Sequence, residues 1–282
     1  MTNSYLNIVT FILTTIFYYM ALKPYLLYDD LIDVKKYEIY SKNNYLYLGI
    51  YLLLVMIVQF VVNASVISTN CGGSISENIG AAGFLTFIPW TLIFGVIIII
   101  LIIYPGFKSA FSDVIGYFYV SSSATKIITE LLINRDVEKK LTGTETKEEK
   151  ESLEDAADVI VKICGNTSIL INQIVPDNFM DYWKILNPLM KDKYKDDNSP
   201  ETKNLRQELF DLVVTRDNIG ESLWYIYTGI LITSIVQLKI TTRGCQSNTA
   251  TMEKNYNEFL KKEEEAKAKQ AEADSTVYTI TS

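Results

Sequence analysis

Four long stretches of the chain contain no charged side chain, and charge is concentrated between them. Asp, Glu, Lys and Arg are absent from 1–22, 43–76, 78–107 and 222–238. A helix needs roughly 20 apolar residues to cross a bilayer core about 30 Å thick. The pattern therefore predicts four membrane-spanning helices, at 5–22, 45–67, 84–104 and 222–238.

Helices explain these stretches better than the strands of a membrane barrel would. Barrel strands alternate apolar and polar residues, whereas 97–103 is apolar at every position. A helix also satisfies its own backbone hydrogen bonds inside lipid. The first stretch could instead be a signal peptide, although it lacks a basic start and a small-residue cleavage site. The fourth contains Thr228, Thr233 and Ser234, so a buried core helix is the alternative there.

The region 105–221, between the third and fourth predicted spans, indicates a small soluble helical domain. Its apolar residues recur at helical spacing, and one of its helices is predicted over 150–164. Ser199 followed by Pro200 is typical of a helix start, and this helix could run unbroken into the fourth span. The segment 107–133 could lie flat on the membrane, but we expect it to form the inner wall of the domain core.

The predicted fold is thus an all-α polytopic membrane protein. Its parts are a membrane region with three spans over 1–104, the soluble acidic domain over 105–221, the fourth span over 222–238 and a charged helical tail over 239–282. In the tail, acidic and basic residues four positions apart stabilise a solvated helix.

The charge of the loops orients the predicted spans. The 68–83 loop contains no Lys or Arg, whereas the 23–44 and 105–221 regions contain 4 and 15. Positively charged loops favour the cytoplasmic side, so we expect the domain in the cytoplasm, although the basic residues of the tail argue the other way. Cys71 and Cys245 then share the opposite, oxidising side. There they could form a disulfide or remain two free thiols.

The residues that carry most enzyme chemistry are missing from this sequence. The chain has no histidine, which is the commonest general base and metal ligand. Its three cysteines form no zinc-binding pattern, and it has neither a phosphate-binding Gly-rich loop nor a nucleophile elbow. The sequence predicts a non-enzymatic protein with no cofactor and no metal site. The 15 basic and 21 acidic residues of the domain argue against nucleic acid as a partner.

Polar residues inside the predicted spans leave a transport function open. No span contains a charged residue, whereas channels and carriers usually place one in the membrane. A stripe of Thr10, Thr14 and Thr15 with Gln59 and Asn63 could nonetheless line a path. Polar side chains more often join membrane helices. A small channel or transport protein is therefore the alternative to a structural role.

Three stretches of the chain carry a resemblance to a known family. They read CGG at 71–73 with FIPWTLIFG at 87–95, YPGFKSAFSDVIGY at 104–117, and RDNIGESLWY at 216–225, with Gly244 and Cys245 beyond. The chain resembles a family of predicted membrane proteins encoded by large nucleocytoplasmic DNA viruses, of the algal-virus and giant-virus kind. That family tends to carry tryptophan where Phe107 stands and asparagine where Asp113 stands.

The resemblance implies a structural virion protein. It would be a component of the internal membrane, formed from host endoplasmic reticulum, or a minor capsid protein that ties this membrane to the capsid. Its implied partners are the lipid bilayer and capsid or other virion membrane proteins; the oligomeric state stays open. On the domain, Asp181, Tyr182 and Trp183 are candidate partner contacts, with core packing as the alternative, preferred for Trp183. An entry or fusion factor that uses 107–133 is a third functional alternative.

Overall fold

The computed structural model of the protein describes residues 5–71, 75–132, 167–242 and 249–275. These residues form helices, and they contain no β-strand beyond an isolated bridge between Leu132 and Met190. The all-α class predicted from the sequence is therefore confirmed for this part of the chain. The predicted helix over 150–164 lies outside the described residues.

The helices are numbered here in chain order. They are α1 (Leu6–Phe17), α2 (Tyr28–Ile32), α3 (Val34–Cys71), α4 (Ile75–Pro89), α5 (Gly95–Ile103), α6 (Ser109–Phe111), α7 (Tyr117–Leu131), α8 (Thr167–Gln173), α9 (Phe179–Leu186), α10 (Pro200–Thr242) and α11 (Thr249–Ser275). Turns of π-helix continue α1 over Tyr18–Leu22, join α4 to α5 over Trp90–Phe94, and join α6 to α7 over Ser112–Gly116. Turns of 3-10 helix lie at Pro105–Lys108, Pro176–Asn178, Asn187–Leu189 and Asp192–Tyr194.

Three helices are long and apolar enough to cross a membrane: α3, the continuous helix over Asn78–Ile103, and α10. They contain the second, third and fourth predicted spans, apart from Tyr104, which follows the end of α5. The helix over Leu6–Leu22 is apolar but shorter, about 25 Å at 1.5 Å per residue. α3 begins well before the predicted span, at Val34, because 34–44 contains no Gly or Pro that would stop a helix.

The predicted span helices bury polar residues and expose apolar ones. Thr15 of α1 and Gln59 of α3 are buried. The exposed apolar residues include Leu13, Ile16 and Met20 in the first helix, Leu53, Ile57 and Val61 in α3, Leu92 and Ile99 in the third span, and Leu231, Ile235 and Leu238 in α10. A helix on the surface of a soluble protein shows the reverse distribution. This inverted distribution is typical of helices surrounded by lipid.

The span core is the cluster of buried apolar side chains that these four helical segments share. Phe11 of α1 packs against Trp90 and Phe94, with ring centroids 5.2 Å and 5.8 Å apart. Tyr51 of α3 contacts Phe94 at 5.9 Å and Tyr225 of α10 at 5.7 Å. The first helix is therefore packed into the same bundle as the three longer ones.

A second cluster, the domain core, is built from α7, α8, α9 and the first half of α10. Phe179 of α9 packs against Phe210 of α10, with ring centroids 4.9 Å apart, and stacks on Trp183 at 6.1 Å. Tyr28 of α2 contacts both phenylalanine rings at 5.9 Å. The segment 23–44, which the sequence places in a loop between spans, therefore contributes an aromatic side chain to the domain core.

α7 forms the inner wall of the domain core, which is the alternative we preferred for 107–133. Its buried side chains are Val120, Ala124, Ile127, Ile128 and Leu131. The exposed positions from 122 to 130 are all polar, whereas those just before them are apolar: Val114, Ile115, Phe118 and Tyr119. The segment is therefore amphipathic only in its second half.

α10 is a single helix of 43 residues that belongs to both cores. Ser199 caps its start, because its Oγ accepts a hydrogen bond from the backbone N–H of Thr202 at 3.2 Å. Phe210 lies in the domain core and Tyr225 in the span core. The helix passes Gly220 without a break, so the prediction that it continues into 222–238 is confirmed.

The tail predicted as a polar helix contains α11. Lys267 Nζ lies 2.8 Å from Glu263 Oε1, one of the pairs expected at a spacing of four. The described side chains of α11 are almost all exposed, as the polar sequence predicts.

Candidate functional site

A group of buried charged side chains lies where the span core and the domain core meet. Lys23 Nζ is 2.6 Å from Glu221 Oε1. Lys108 Nζ is 3.0 Å from Glu221 Oε2 and 2.8 Å from Asp217 Oδ2. The Tyr19 hydroxyl donates a further hydrogen bond to Glu221 Oε1 at 3.0 Å. We name Lys23, Lys108, Asp217 and Glu221 the junction cluster.

The ends of two helical turns place the lysines of the junction cluster, and the middle of α10 places its two acids. Lys23 directly follows the π-helical turn that continues α1. Lys108 ends the 3-10 turn that begins at Pro105, just after the third span. Asp217 and Glu221 are four positions apart on α10, so their carboxylates lie on one face of that helix. Three separate parts of the chain therefore supply the four charges.

Burial and pairing determine the charge state of the junction cluster. The side chains of Lys23 and Glu221 are only 7% and 9% exposed. Burial disfavours the Lys108 ammonium, but the carboxylates of Glu221 and Asp217 outweigh this effect and raise its pKa. Burial lowers the pKa of Lys23, and the carboxylate of Glu221 only partly offsets that effect. Removing the carboxylate of Glu221 would leave the Lys23 ammonium buried without its partner, which is costly.

Close helix packing holds the junction cluster in place. A Cβ on Gly220 would lie 2.7 Å from Ser112 Cβ and 2.8 Å from the carbonyl oxygen of Lys108. A Cβ on Gly116 would lie 2.8 Å from the carbonyl oxygen of Arg216. Real side chains do not approach this closely, so only glycine fits at either position. The two glycines thereby let α10 approach the segment that carries one of the two lysines.

Arg216 joins the same turn of α10 to the end of α8. Its guanidinium donates hydrogen bonds to the carbonyl oxygens of Ile171 and Ile174, the latter at 2.9 Å, and to Asn172 Oδ1 at 3.3 Å. Asp113 Oδ1 lies 4.0 Å away. The last carbonyls of a helix lack partners within the helix and favour a nearby cation. Arg216 therefore caps α8 and fixes it to α10.

The junction cluster is suited to positioning helices. A carboxylate that is neutralised by a buried ammonium is a weak base, so proton transfer is not what this pairing favours. Within the described ranges, no group of three or more His, Cys, Asp or Glu side chains could hold a metal ion.

The three predicted partner contacts lie on α9 in different environments. Trp183 is buried in the domain core, and its Nε1 donates a hydrogen bond to Asp197 Oδ1 at 2.9 Å. This is the core packing that we preferred for it. Asp181 is exposed, with its Oδ1 3.8 Å from Lys184 Nζ, and Tyr182 is half-buried. The surface of α9 therefore presents Asp181 and part of Tyr182.

Cys71, predicted to pair with Cys245, is the last residue of α3 and is disulfide-bonded. Cys245 falls within 243–248, outside the described residues, and Cys164 lies outside them as well. The pairing of Cys71 with Cys245 therefore stays a prediction.

Polar residues of the span core bond to one another between helices. Asn63 of α3 accepts a hydrogen bond from Asn7 Nδ2 and donates one to Thr86 Oγ1 at 2.8 Å, so it joins α1, α3 and α4. Gln59 Nε2 donates to the carbonyl oxygen of Asn7 at 3.0 Å and to Thr10 Oγ1 at 3.2 Å. We name Asn7, Gln59, Asn63 and Thr86 the amide cluster.

Thr14 and Thr15, the other members of the predicted transport stripe, donate hydrogen bonds to backbone carbonyls four residues earlier. Thr15 Oγ1 also lies 2.8 Å from the Tyr51 hydroxyl. The Thr15 contact joins α1 to α3, which is the commoner use of polar residues in membrane bundles, whereas the bond of Thr14 stays within its own helix.

In the sequence, Lys23 and Lys108 count toward the charge that orients the spans, and Lys108, Asp217 and Glu221 fall within two of the resemblance stretches. None of the four is a candidate site residue there. A signal was present, because Lys23, Lys108 and Glu221 each border a charge-free window and carry opposite signs. Charges at the borders of spans are ordinary, however, and nothing in the spacing of these three shows that they meet.

Two of the stretches that carry the family resemblance, 104–117 and 216–225, pack against each other beside the junction cluster. The Trp224 Nε1 donates a hydrogen bond to the carbonyl oxygen of Phe107 at 2.8 Å, and the rings of Phe111 and Trp224 are 5.1 Å apart. No family model matches the chain, and no curated protein or solved structure matches it either.

Proposed function

We propose that the protein is a non-enzymatic structural membrane protein of a virion, in which four spans anchor an acidic helical domain beside the internal membrane. The observation that carries the proposal is the junction, where one unbroken helix and a fully paired cluster of buried charges couple the two cores. A rigid connection of this kind suits a tether between a bilayer and a protein layer. The resemblance to virion membrane proteins supplies the capsid or a neighbouring membrane protein as the partner.

The helix over Leu6–Leu22 counts as the first of the four spans. It exposes apolar Leu13, Ile16 and Met20 and packs Phe11 against the third span. Its length of about 25 Å is within reach of a bilayer that thins locally around a short span. The N-terminus and α11 then lie on one side, and the domain lies on the other, cytoplasmic side.

Topology can be tested by protease treatment of sealed membranes, followed by mass spectrometry of the surviving peptides. We expect peptides from 167–215 to be lost, while those from 249–275 and an epitope tag added before Met1 are protected. An accessible tag with a protected tail would reduce the spans to three. Protection of 167–215 with loss of the tail would invert the orientation.

The disulfide of Cys71 fits a bridge to Cys245 on the side opposite the domain. Ile67 and Ile240, near the ends of α3 and α10, share the span core. Cys71 is the last residue of α3, and Cys245 follows α10 in the sequence. The alternative partner, Cys164, precedes α8 of the domain in the sequence. Cys71 lies at the opposite end of α3 from the domain, because α3 runs about 35 Å from Leu48, beside the junction, to Cys71. We expect a Cys71–Cys245 peptide in a non-reducing digest; a Cys71–Cys164 peptide would contradict the topology.

The partner is expected on the acidic surface of the domain. Region 105–221 contains 15 basic and 21 acidic residues, so a basic partner surface would complement it. Asp181 on α9 is exposed and stands one helical turn from Lys184. Substitutions that reverse the charge of Asp181 and of Lys184 therefore give two matched variants on one face of α9.

Fractionation of purified virions in mild detergent tests the tether. We expect the protein to remain with capsid components after the lipid is dissolved. Asp181→Lys should weaken this retention because it removes an acid that faces the partner, whereas Lys184→Glu should not weaken it. Release of the unaltered protein into a fraction free of capsid components would contradict the proposal.

A small channel is the second candidate, and the amide cluster is the feature that bears on it. Asn7 Oδ1 and Gln59 Oε1 are buried acceptors without a hydrogen-bond partner in the described part of the chain. Water in a path would supply such partners. Ion or solute flux in reconstituted liposomes that is lost with Thr14→Leu or Asn63→Leu would favour this function over the structural one.

A further inference from the structure

A cavity of about 240 Å³ adjoins the junction cluster at the end of the spans. Leu48 and Leu101 give it an apolar wall, and Tyr45 of α3 and Ile102 of α5 also line it. Tyr45 and Ile102 are both exposed on the outer surface of the bundle. The cavity therefore reaches the surface of the bundle between α3 and α5, at the end of the predicted spans.

The charges around the cavity disfavour an anionic ligand. Its walls include the whole junction cluster, whose two lysines are already held by Glu221 and Asp217, together with Asp177. Asp177 accepts a hydrogen bond from the Tyr37 hydroxyl at 3.3 Å. Three acids and two lysines leave one negative charge in excess, so the cavity favours a ligand that carries a positive group.

Asn44 adds an acceptor that is ready for a donor. Asn44 is one of the residues that line the same cavity. Its side-chain Oδ1 is buried and has no hydrogen-bond partner within the described ranges. A buried acceptor left without a partner costs free energy, so a ligand that donates a hydrogen bond here is stabilised. The rings of Tyr37 and Tyr40 also line the cavity, 6.3 Å apart, and can face a cation.

We propose that this cavity binds the headgroup of a lipid that carries a primary ammonium group, such as phosphatidylethanolamine. The ammonium donates to Asn44 Oδ1 and lies near Asp177 and the tyrosine rings, while the acyl chains leave past Tyr45 and Ile102 into the bilayer. A choline headgroup carries the same charge but has no N–H to donate, so the unpartnered amide oxygen distinguishes the two. The inference rests on the proposed insertion of the helices into a membrane, and it does not depend on the proposed role in a virion.

Native mass spectrometry of the full-length protein, delipidated in detergent, tests the inference. The protein receives equimolar phosphatidylethanolamine and phosphatidylcholine, and the N-methyl and N,N-dimethyl forms in separate samples. We expect one molecule of phosphatidylethanolamine to be retained with a preference of about fivefold over phosphatidylcholine, because one hydrogen bond is gained. Retention should fall as methyl groups replace the ammonium hydrogens.

Asn44→Leu should reduce phosphatidylethanolamine retention to the level of phosphatidylcholine. The matched control is Asn43→Leu, because Asn43 is exposed on the same helix, and it should behave as the unaltered protein. Asp177→Asn should lower retention of phosphatidylethanolamine about threefold. Because Asp177 is exposed, this variant should fold, and it tests the inference if Asn44→Leu does not fold. Equal retention of the two lipids, a preference for phosphatidylglycerol, or an unchanged preference in both variants would overturn the inference.

Discussion

The amide cluster and the junction cluster both hold polar side chains away from water, but with different chemistry. The amide cluster uses neutral groups between span helices, as in the bond from Asn63 to Thr86. The junction cluster uses full charges, such as Lys23 and Glu221, where the spans end. A hydrogen bond between membrane helices contributes about 0.6 kcal/mol on average, whereas removing one partner of a buried ion pair costs about 3–5 kcal/mol.

This difference shows why each cluster lies where it does. Inside a bilayer a charge is far more costly than an amide, so the contacts between the predicted span helices use Asn, Gln and Thr. At the end of the spans the desolvation cost is lower, and opposite charges can be paired at 2.6–3.0 Å. The domain is therefore fixed to the bundle by buried ion pairs, whose strength depends more on geometry than that of the amide hydrogen bonds.

The largest effect is expected from Glu221→Gln. The substitution keeps the shape of the side chain but leaves Lys23 without its carboxylate and Lys108 with only Asp217, so we expect a loss of about 3–5 kcal/mol in unfolding free energy. The melting temperature in detergent measures it. Adding Lys23→Met to this variant should recover part of the loss, because the unpaired ammonium is then removed. A single variant that melts like the unaltered protein would remove the basis of the comparison.

Gly220→Ala should have the next largest effect. The new Cβ would lie 2.7 Å from Ser112 Cβ, and overpacking of this kind costs about 1–3 kcal/mol. Gly49→Ala on α3 is the control, because a Cβ there meets nothing within 4 Å, and it should stabilise the helix by up to about 1 kcal/mol. Equal melting temperatures for the two variants would show that close packing beside the junction does not matter.

Asn63→Leu should cost less than either of these changes. It removes the bonds to Asn7 and Thr86, and we expect a loss of about 1–2 kcal/mol, measured by the same detergent melts. Thr69→Val is the matched control, because the Thr69 hydroxyl donates only to the Ser65 carbonyl of its own helix among the bonds described. If Asn63→Leu destabilised the protein as much as Glu221→Gln, the expected difference between the two clusters would be absent.

Asp181→Ala should have the smallest effect on stability. Asp181 and Lys184 are both exposed and 3.8 Å apart, and exposed ion pairs contribute about 0–1 kcal/mol. Chemical denaturation of the unaltered and variant proteins should therefore give nearly equal free energies of unfolding. A large loss would place Asp181 in the fold and weaken its use as a partner contact.

The helices of the span bundle could be predicted from sequence because charge-free windows are a local signal. The unbroken course of α10 was equally readable, since Ser199 and Pro200 mark its start and no breaker but Gly220 precedes the fourth span. Helix bounds were less accurate. Residues 34–44, predicted as part of a loop, form the beginning of α3 because they contain no Gly or Pro that would stop a helix.

The junction cluster could not be predicted, because it joins Lys23, Lys108 and Glu221 across long separations in sequence. Taken alone, each is a charged residue at the end of a predicted span, which is common, and only the packing of the helices brings the three together. The cluster forms because α10 packs closely against the segment 108–116, and this close packing depends on Gly116 and Gly220. The sequence alone does not show which part of the chain packs against a glycine in a helix. Trp183 was ambiguous for a related reason, since an aromatic residue suits a core as well as a partner surface.

Amide hydrogen exchange in lipid nanodiscs tests most directly whether the junction cluster couples the two cores. The unaltered protein and Glu221→Gln are compared peptide by peptide. We predict that the variant exchanges faster in 109–131 and in 200–219 together, while 50–65 of α3 keeps its protection. Exchange that stays unchanged in both segments, or rises only in the peptide that contains the substitution, would contradict the coupling of the domain to the span bundle.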